Sequence, residues 1–252
     1  MHLLLTKDLS IEFGGLQALK DLHIEINNRE IVGLIGPNGA GKTTVFNLLT
    51  GVYLPTSGAM RLEGNSIIGK KPFEINRSGI ARTFQNIRLF KNMTVADNIK
   101  VSMHQNMKYN TFSAMFRLPS YWKEEKKVDI KAREFLEIFG MEDKADQLAC
   151  NLPYGQQRKL EILRALATKP KILLLDEPAA GMNPTETQEL MEVIRRIRDQ
   201  FNIAILLIEH DMSLVMNICE RLYVLDYGHL IAQGTPEEIR TNPQVISAYL
   251  GS

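Results

Sequence analysis

The residues whose types and spacing could do chemistry begin at Gly36. Gly36-Pro37-Asn38-Gly39-Ala40-Gly41-Lys42-Thr43, followed by Thr44, matches G-x-x-x-x-G-K-[ST] at every fixed position. Glycines let a backbone curl so that successive N–H groups point inward at an anion. A helix starting near Lys42 would add its unpaired first-turn N–H groups and the positive end of its dipole. In this pattern the lysine reaches the β- and γ-phosphates of a nucleotide, and the Thr43 hydroxyl takes a place on Mg²⁺. Such a site needs a further carboxylate for the metal. Ile172-Leu173-Leu174-Leu175-Asp176-Glu177 offers one: an apolar run delivers Asp176 to its C-terminal edge, where open α/β sheets bind ligands. Asp176 is the expected metal carboxylate, and Glu177 could polarise an attacking water. An Asp-Glu pair after an apolar run also suits a helix cap, so the pair gains its meaning from the glycine-rich loop.

The elements that must hold these residues can be read from hydrophobic period. Ile31 to Ile35 is a continuous apolar run, as in a strand buried on both faces, and the spacing predicts a helix from Lys42 to Leu49, closed by Gly51. Leu22, Ile24 and Ile26 alternate with His23 and Glu25, so residues 10–26 read as antiparallel strands. Met60-Arg61-Leu62 and Ile80 to Phe84 read as short strands. Thr94 to Phe139 reads as mostly helical, interrupted by an insertion or hairpin at 105–123 around Asn110, Pro119 and Ser120. The second half alternates: helix 155–168, strand 171–175, helix 184–200 with Asn183 at its cap, strand 203–208, helix 212–218, strand 221–225, a hairpin through Gly228, and short helices at 236–240 and 243–250. Strand–helix alternation implies a mostly parallel sheet covered by helices.

Composition limits the class. The chain has 252 residues, 44% of them hydrophobic, which is enough to bury roughly three quarters of the unfolded surface without a disulfide or metal staple. Thirty Lys+Arg against 29 Asp+Glu leave a net charge of +1, so no basic surplus points to nucleic acid as a partner. Two cysteines, Cys150 and Cys219, suit a reducing compartment and read as small buried residues. The apolar start at Leu3-Leu4-Leu5 is too short for a signal-peptide core, and the longest clean apolar run, Ile203 to Ile208, is far from the roughly 20 residues a membrane span needs.

With these motifs in view, the chain resembles the ATP-binding subunit of an ABC transporter over nearly its whole length. Within that family it is most similar to the longer of the two ATPase subunits of bacterial branched-chain amino acid importers. The narrower likeness rests on Leu152-Pro153-Tyr154-Gly155-Gln156-Gln157-Arg158, on Glu177-Pro178-Ala179-Ala180-Gly181-Met182-Asn183-Pro184, on Asn242-Pro243-Gln244-Val245-Ile246 through Tyr249-Leu250-Gly251, and on the insertion. The resemblance implies an ABC-type P-loop ATPase. It would form one domain, with residues 1–86 and 171–252 as nucleotide-binding core and antiparallel β subdomain, and about 87–170 as helical signature subdomain. It implies that Phe13 stacks on adenine, although Ile11 and Phe13 also fit a core-facing strand. It implies that Gln85 touches Mg²⁺ and the attacking water, and that His210 bonds the γ-phosphate and helps Glu177 hold that water. Leu152, Gly155 and Gln156 would act in trans, on ATP held by a second subunit.

Two departures stand out against the family pattern Leu-Ser-Gly-Gly-Gln. Pro153 replaces a serine that offers a hydroxyl and an N–H, and Tyr154 replaces a glycine. Asn183 stands where Asp is usual. The implied partners are a second, non-identical ATPase subunit (a homodimer stays open), transmembrane permease subunits and, indirectly, a substrate-binding protein. The implied location is the cytoplasmic face of the inner membrane. Residues 86–120 are rich in Met and aromatic side chains and read either as a socket for a permease helix or as subdomain core. Rival readings are an ABC ATPase for another cargo, a nucleotide kinase, or an ATP-dependent clamp or switch. Gln85, the signature stretch and His210 together weigh against the kinase, and the single cassette weighs against the clamp.

Overall fold

The computed structural model describes residues 2–103, 116 and 119–250. Its chain forms two compact units, Met1–Gln85 with Lys171–Ser252, and Asn86–Pro170.

The first unit holds two sheets. Strands β1 (Leu4–Phe13), β2 (Leu16–Ile26), β4 (Ser57–Leu62) and β5 (Asn65–Ser66) form an antiparallel sheet in the order β2-β1-β4-β5. The second sheet has the order β10-β9-β3-β8-β7-β6, from β3 (Ile31–Ile35), β6 (Ile80–Arg82), β7 (Ile172–Asp176), β8 (Ala204–Ile208), β9 (Arg221–Asp226) and β10 (His229–Gly234). All its neighbours run parallel except β9 and β10, which form the hairpin through Gly228. Strands β3, β7 and β8 are buried at every position, which is why they read as unbroken apolar runs. The helix α1 (Lys42–Leu49) buries Val45, Phe46, Leu48 and Leu49 in one core with Leu22, Ile24 and Ile26 of the antiparallel sheet and Val32 and Leu34 of the parallel one. The phosphate loop therefore sits on an element clamped by apolar packing.

Several boundaries differ from expectation. Strand β1 starts at Leu4 rather than near residue 10. Asp8 takes φ 48° and the pairing slips between Thr6 and Leu9, which breaks the period of two that marks a strand. Strand β6 stops at Arg82, short of Phe84. A helix α2 (Pro72–Ser78) was not expected; Pro72 opens it and Gly79, at φ 117°, closes it.

The second unit contains α3 (Val95–Met103), α4 (Pro119–Glu137) and α5 (Tyr154–Leu166). Residues 119–123 belong to α4 rather than to an insertion. Pro119 is its first residue, where a missing N–H costs nothing. Residues 105–115, 117 and 118 of the expected insertion lie outside the described residues. Cys219 is buried as expected, but Cys150 is exposed.

Helix α6 (Pro184–Phe201) starts with a reciprocal cap. The Glu186 N–H donates to Asn183 Oδ1 at 2.9 Å, and the Asn183 N–H donates to Glu186 Oε2 at 3.0 Å. Asn183→Ala should cost about 1 kcal/mol and lower the melting temperature by about 2–4 °C, while Asn183→Asp, which keeps the acceptor, should leave it unchanged in thermal unfolding.

Candidate nucleotide site

The loop between β3 and α1 owes its shape to two glycines. Gly36 has φ 147°, and a Cβ there would meet the Leu225 carbonyl oxygen at 2.0 Å. Gly41 caps α1 in the left-handed region, at φ 105°. A neighbouring turn braces the loop, since the Gly228 N–H donates to Ala40 O at 3.0 Å and Gly228 O accepts from Lys20 N–H. A concavity of about 330 Å³ opens on this loop. Asn38, Gly39, Ala40, Gly41, Lys42, Thr43 and Thr44 line it, joined by Gln85, Glu177 and His210. Residues from four separate stretches of sequence thus meet at one cavity.

Lys42 is buried, and its ammonium donates to the carbonyls of Gly36 at 2.7 Å and Pro37 at 2.8 Å. Burial pulls its pKa down, while Glu177 and Asp176 push it back up. A phosphate oxygen arriving here would offer this ammonium a charged acceptor in place of neutral ones, which strengthens each bond about twofold.

Glu177 is held on both sides. Gln85 Nε2 donates to its Oε2 at 2.9 Å, and His210 Nε2 lies 2.6 Å from its Oε1. Its backbone takes φ 47°, rare for a side chain without a special cause, and its N–H is anchored on Ile208 O at 2.9 Å. The bend turns the chain abruptly at the end of β7.

Asp176 ends β7 and is buried. Its Oδ2 accepts from Arg82 Nη2 at 2.8 Å, and Arg82 Nη1 reaches Asn47 Oδ1 at 2.7 Å. The Arg82 guanidinium also stacks over Phe46 and Phe84, at 5.3 and 5.2 Å from their ring centres. The three expected metal residues, Thr43, Gln85 and Asp176, supply a hydroxyl, an amide and a carboxylate. Those are hard oxygen donors suited to Mg²⁺. Among the described residues no group of three or more His, Cys, Asp or Glu could hold a metal ion.

Phe13 ends β1 at 43% exposure, edge-on to Tyr53 at 5.1 Å. The ring is therefore available rather than part of the core. In the second unit, Leu152 is buried, and its carbonyl accepts from Gln157 Nε2 at 2.8 Å. Pro153 is the N-terminal cap residue of α5 and offers no side-chain hydrogen bond. Gly155 and Gln156 lie in the first turn, where helix N–H groups have no partners within the helix.

Two residues with evident roles at the site were missed in the sequence. Arg82 was signalled only as a charge at the end of a short apolar strand. Glu209, a carboxylate buried between the run Ala204–Ile208 and His210, was passed over as a neighbour of the histidine. Arg82→Met should strand the buried Asp176 carboxylate and destabilise the fold by about 3–5 kcal/mol, with Asp176→Leu added to it recovering part of the loss in urea unfolding.

The ABC transporter family model matches residues 19–180, and a model described as branched-chain amino acid ATP-binding cassette transporter matches residues 229–252. The high-affinity branched-chain amino acid transport ATP-binding protein LivG of Salmonella typhimurium is 51% identical over 99% of this chain and 98% of its own. The corresponding protein BraF of Pseudomonas aeruginosa is 47% identical over 96% and 95%. A crystal structure of an ABC transporter's ATP-binding cassette in its ADP conformation superposes with a TM-score of 0.86, at 32% identity and full coverage of both chains. The chain belongs to the ATP-binding cassette family of ABC transporters.

Proposed function

We propose that this chain is the ATP-hydrolysing subunit of a membrane importer for branched-chain amino acids. The observation that carries the catalytic part is the Glu177 carboxylate, bracketed by Gln85 and His210 at the cavity that also holds Lys42. The cargo is proposed from the likeness to LivG and BraF and from the family match of residues 229–252.

On this reading the residues 36–44 wrap the phosphates of ATP with backbone N–H groups, and Phe13 offers its exposed ring to the adenine. Lys42 turns from its own loop's carbonyls to the β- and γ-phosphates. Glu177 orients the attacking water and accepts its proton, and His210 bonds the γ-phosphate and keeps Glu177 in place. Thr43, Gln85 and Asp176 would hold Mg²⁺, which neutralises phosphate charge when bound. The chain's own contribution is mostly positioning and electrostatics.

A second ATPase subunit completes the proposed site, with backbone groups at the start of α5 (Leu152, Gly155 and Gln156) facing ATP across the interface. ATP is then part of that interface, so its binding favours the closed pair by mass action. The proposed organisation is one ATPase domain, with residues 1–86 and 171–252 as its nucleotide-binding core. No helix among the described residues is long and apolar enough to cross a membrane. Attachment to the cytoplasmic face of the membrane is therefore assigned to permease partners.

The proposed permease contact is the stretch around Phe90. Its ring is 46% exposed and backed by the Arg164 guanidinium at 4.9 Å. The buried Asn98 amide fixes the backbone beneath it, accepting from Phe90 N–H at 2.9 Å and donating to Phe90 O at 3.0 Å. Met103 is buried, which suits the core reading there, whereas Met107, Tyr109, Phe112, Met115 and Leu118 lie outside the described residues.

Two outcomes are expected. Glu177→Gln should lower ATP turnover by about 10²–10⁴-fold and, with Mg²⁺ and ATP, run as a nucleotide-filled dimer on sizing; a variant that hydrolyses ATP like wild type would remove Glu177 from the reaction. Phe90→Ser should leave nucleotide affinity of the isolated chain unchanged while abolishing co-purification with the permease, and retained co-purification would count against this contact.

A further inference from the structure

One buried carboxylate has no part in the chemistry described so far. Glu209 follows β8 directly and is 5% exposed. Its Oε1 accepts from the Ala179 N–H at 2.8 Å. Its Oε2 accepts from the His210 N–H at 3.0 Å, with the Asp211 N–H at 3.5 Å. Ala179 lies in the loop that leaves Glu177 and runs to the cap at Asn183. His210 and Asp211 lie in the loop that leaves β8, where Asp211 caps helix α7 (Met212–Ile218) through the Ser213 N–H at 2.8 Å. The two oxygens of one rigid carboxylate thus hold two different loops, one on each side.

We propose that Glu209 is a positioning residue for ATP hydrolysis, a strut that locks the loop after Glu177 and the loop bearing His210 into one arrangement so that neither moves alone. This rests on the proposed roles of Glu177 and His210 and deepens them. Burying a carboxylate is costly, and burial together with the nearby Glu177 charge pushes the Glu209 carboxyl up. Three backbone N–H donors pull the other way. A purely structural filler would be cheaper as an apolar residue, whereas a carboxylate here can accept from both loops at once. The loop starting at Glu177 already shares one bond with β8, from the Glu177 N–H to Ile208 O. Glu209 adds the second, further along the loop, so the link resists rotation as well as separation. A shift of the Ala179 loop, the segment that runs to the helix cap at Asn183, is therefore transmitted to the His210 backbone.

The test uses the purified chain, alone and assembled with its partner subunits. Glu209→Gln keeps the size but leaves one accepting oxygen in place of two. Glu209→Asp keeps the charge but is one methylene too short to span both loops. Both variants should lower kcat about ten- to a hundredfold with KM for ATP within about twofold of wild type. Amide hydrogen exchange should speed up at Ala179 or at His210 and Asp211, with Ile31–Ile35 and Ile172–Leu175 as protected as in wild type. Wild-type-like kcat, or unchanged exchange at all three amides, would overturn the strut. So would a rescue of kcat by Glu209→Asp with Ala179 exchanging freely. If the wild-type chain hydrolyses no ATP in any assembly, the functional reading fails instead. The exchange measurement still decides whether Glu209 joins the two loops.

Discussion

Three acidic side chains, Asp176, Glu177 and Glu209, stand within the ends of two adjacent parallel strands, and that concentration of negative charge is the constraint on which the site depends. A carboxylate taken from water needs a partner, and like charges side by side make the need greater. Each has a different solution. Asp176 faces the buried Arg82 guanidinium, Glu177 sits between Gln85 and His210, and Glu209 draws on backbone N–H groups alone. The differences sort the groups by what they can do. Asp176 accepts from Arg82 through Oδ2 alone among the described residues, which suits the cation ligand proposed above. Glu177 is paired with two side chains, Gln85 and His210, rather than with main chain, which suits the proton acceptor proposed above. Glu209 is tied to main chain and has the least freedom.

Arg82 links this edge to the phosphate loop. Its second nitrogen reaches Asn47 on α1, so one guanidinium spans the helix that follows the glycine loop and the strand end that bears Asp176. Stacking on Phe46 of α1 and on Phe84, two residues further along its own chain, holds the guanidinium plane. The arrangement resembles a joint between two halves of the site, and Gln85 emerges three residues beyond it. On the proposed mechanism, the groups that grip phosphate and those that handle water share this anchor.

Legibility in the sequence followed the range of the interactions. The glycine loop was readable because its cause is local: each residue shapes its own backbone, and an apolar strand and a helix flank it. The parallel strands were readable because burial on both faces leaves continuous apolar runs such as Ile172–Leu175. Arg82 and Glu209 were not, because the contacts that single them out, Arg82 to Asp176 and Glu209 to the Ala179 N–H, span 94 and 30 residues and nothing local marks them. Strand β1 was half-hidden by the bulge at Asp8, which inserts polar residues into the alternation. Phe13 had a core reading from strand alternation and a stacking reading from the family resemblance, and its place at the strand end, beyond the core-facing Ile11, leaves the ring exposed. Cys150 misled because composition favours burial, whereas a short turn at Ala149–Asn151 places it outward.

The signature stretch shows how far one substitution can be weighed. Pro153 removes an N–H and a hydroxyl that the usual serine would offer, but as the cap residue of α5 it also sets the helix going with a fixed φ of −55°. The first-turn N–H groups of Tyr154, Gly155 and Gln156 keep the positive helix end intact. A lost neutral hydrogen bond amounts to about 0.5–1.5 kcal/mol, or up to roughly tenfold in binding. Losing a catalytic proton acceptor costs orders of magnitude more. In a pair of unlike ATPase subunits, the composite site that uses this signature would therefore grip ATP more weakly while its catalytic Glu, supplied by the other chain, stays in place. On the proposal of a paired ATPase, the Pro153 departure would thus make two sites that differ in the stability of the closed pair rather than one live and one dead site.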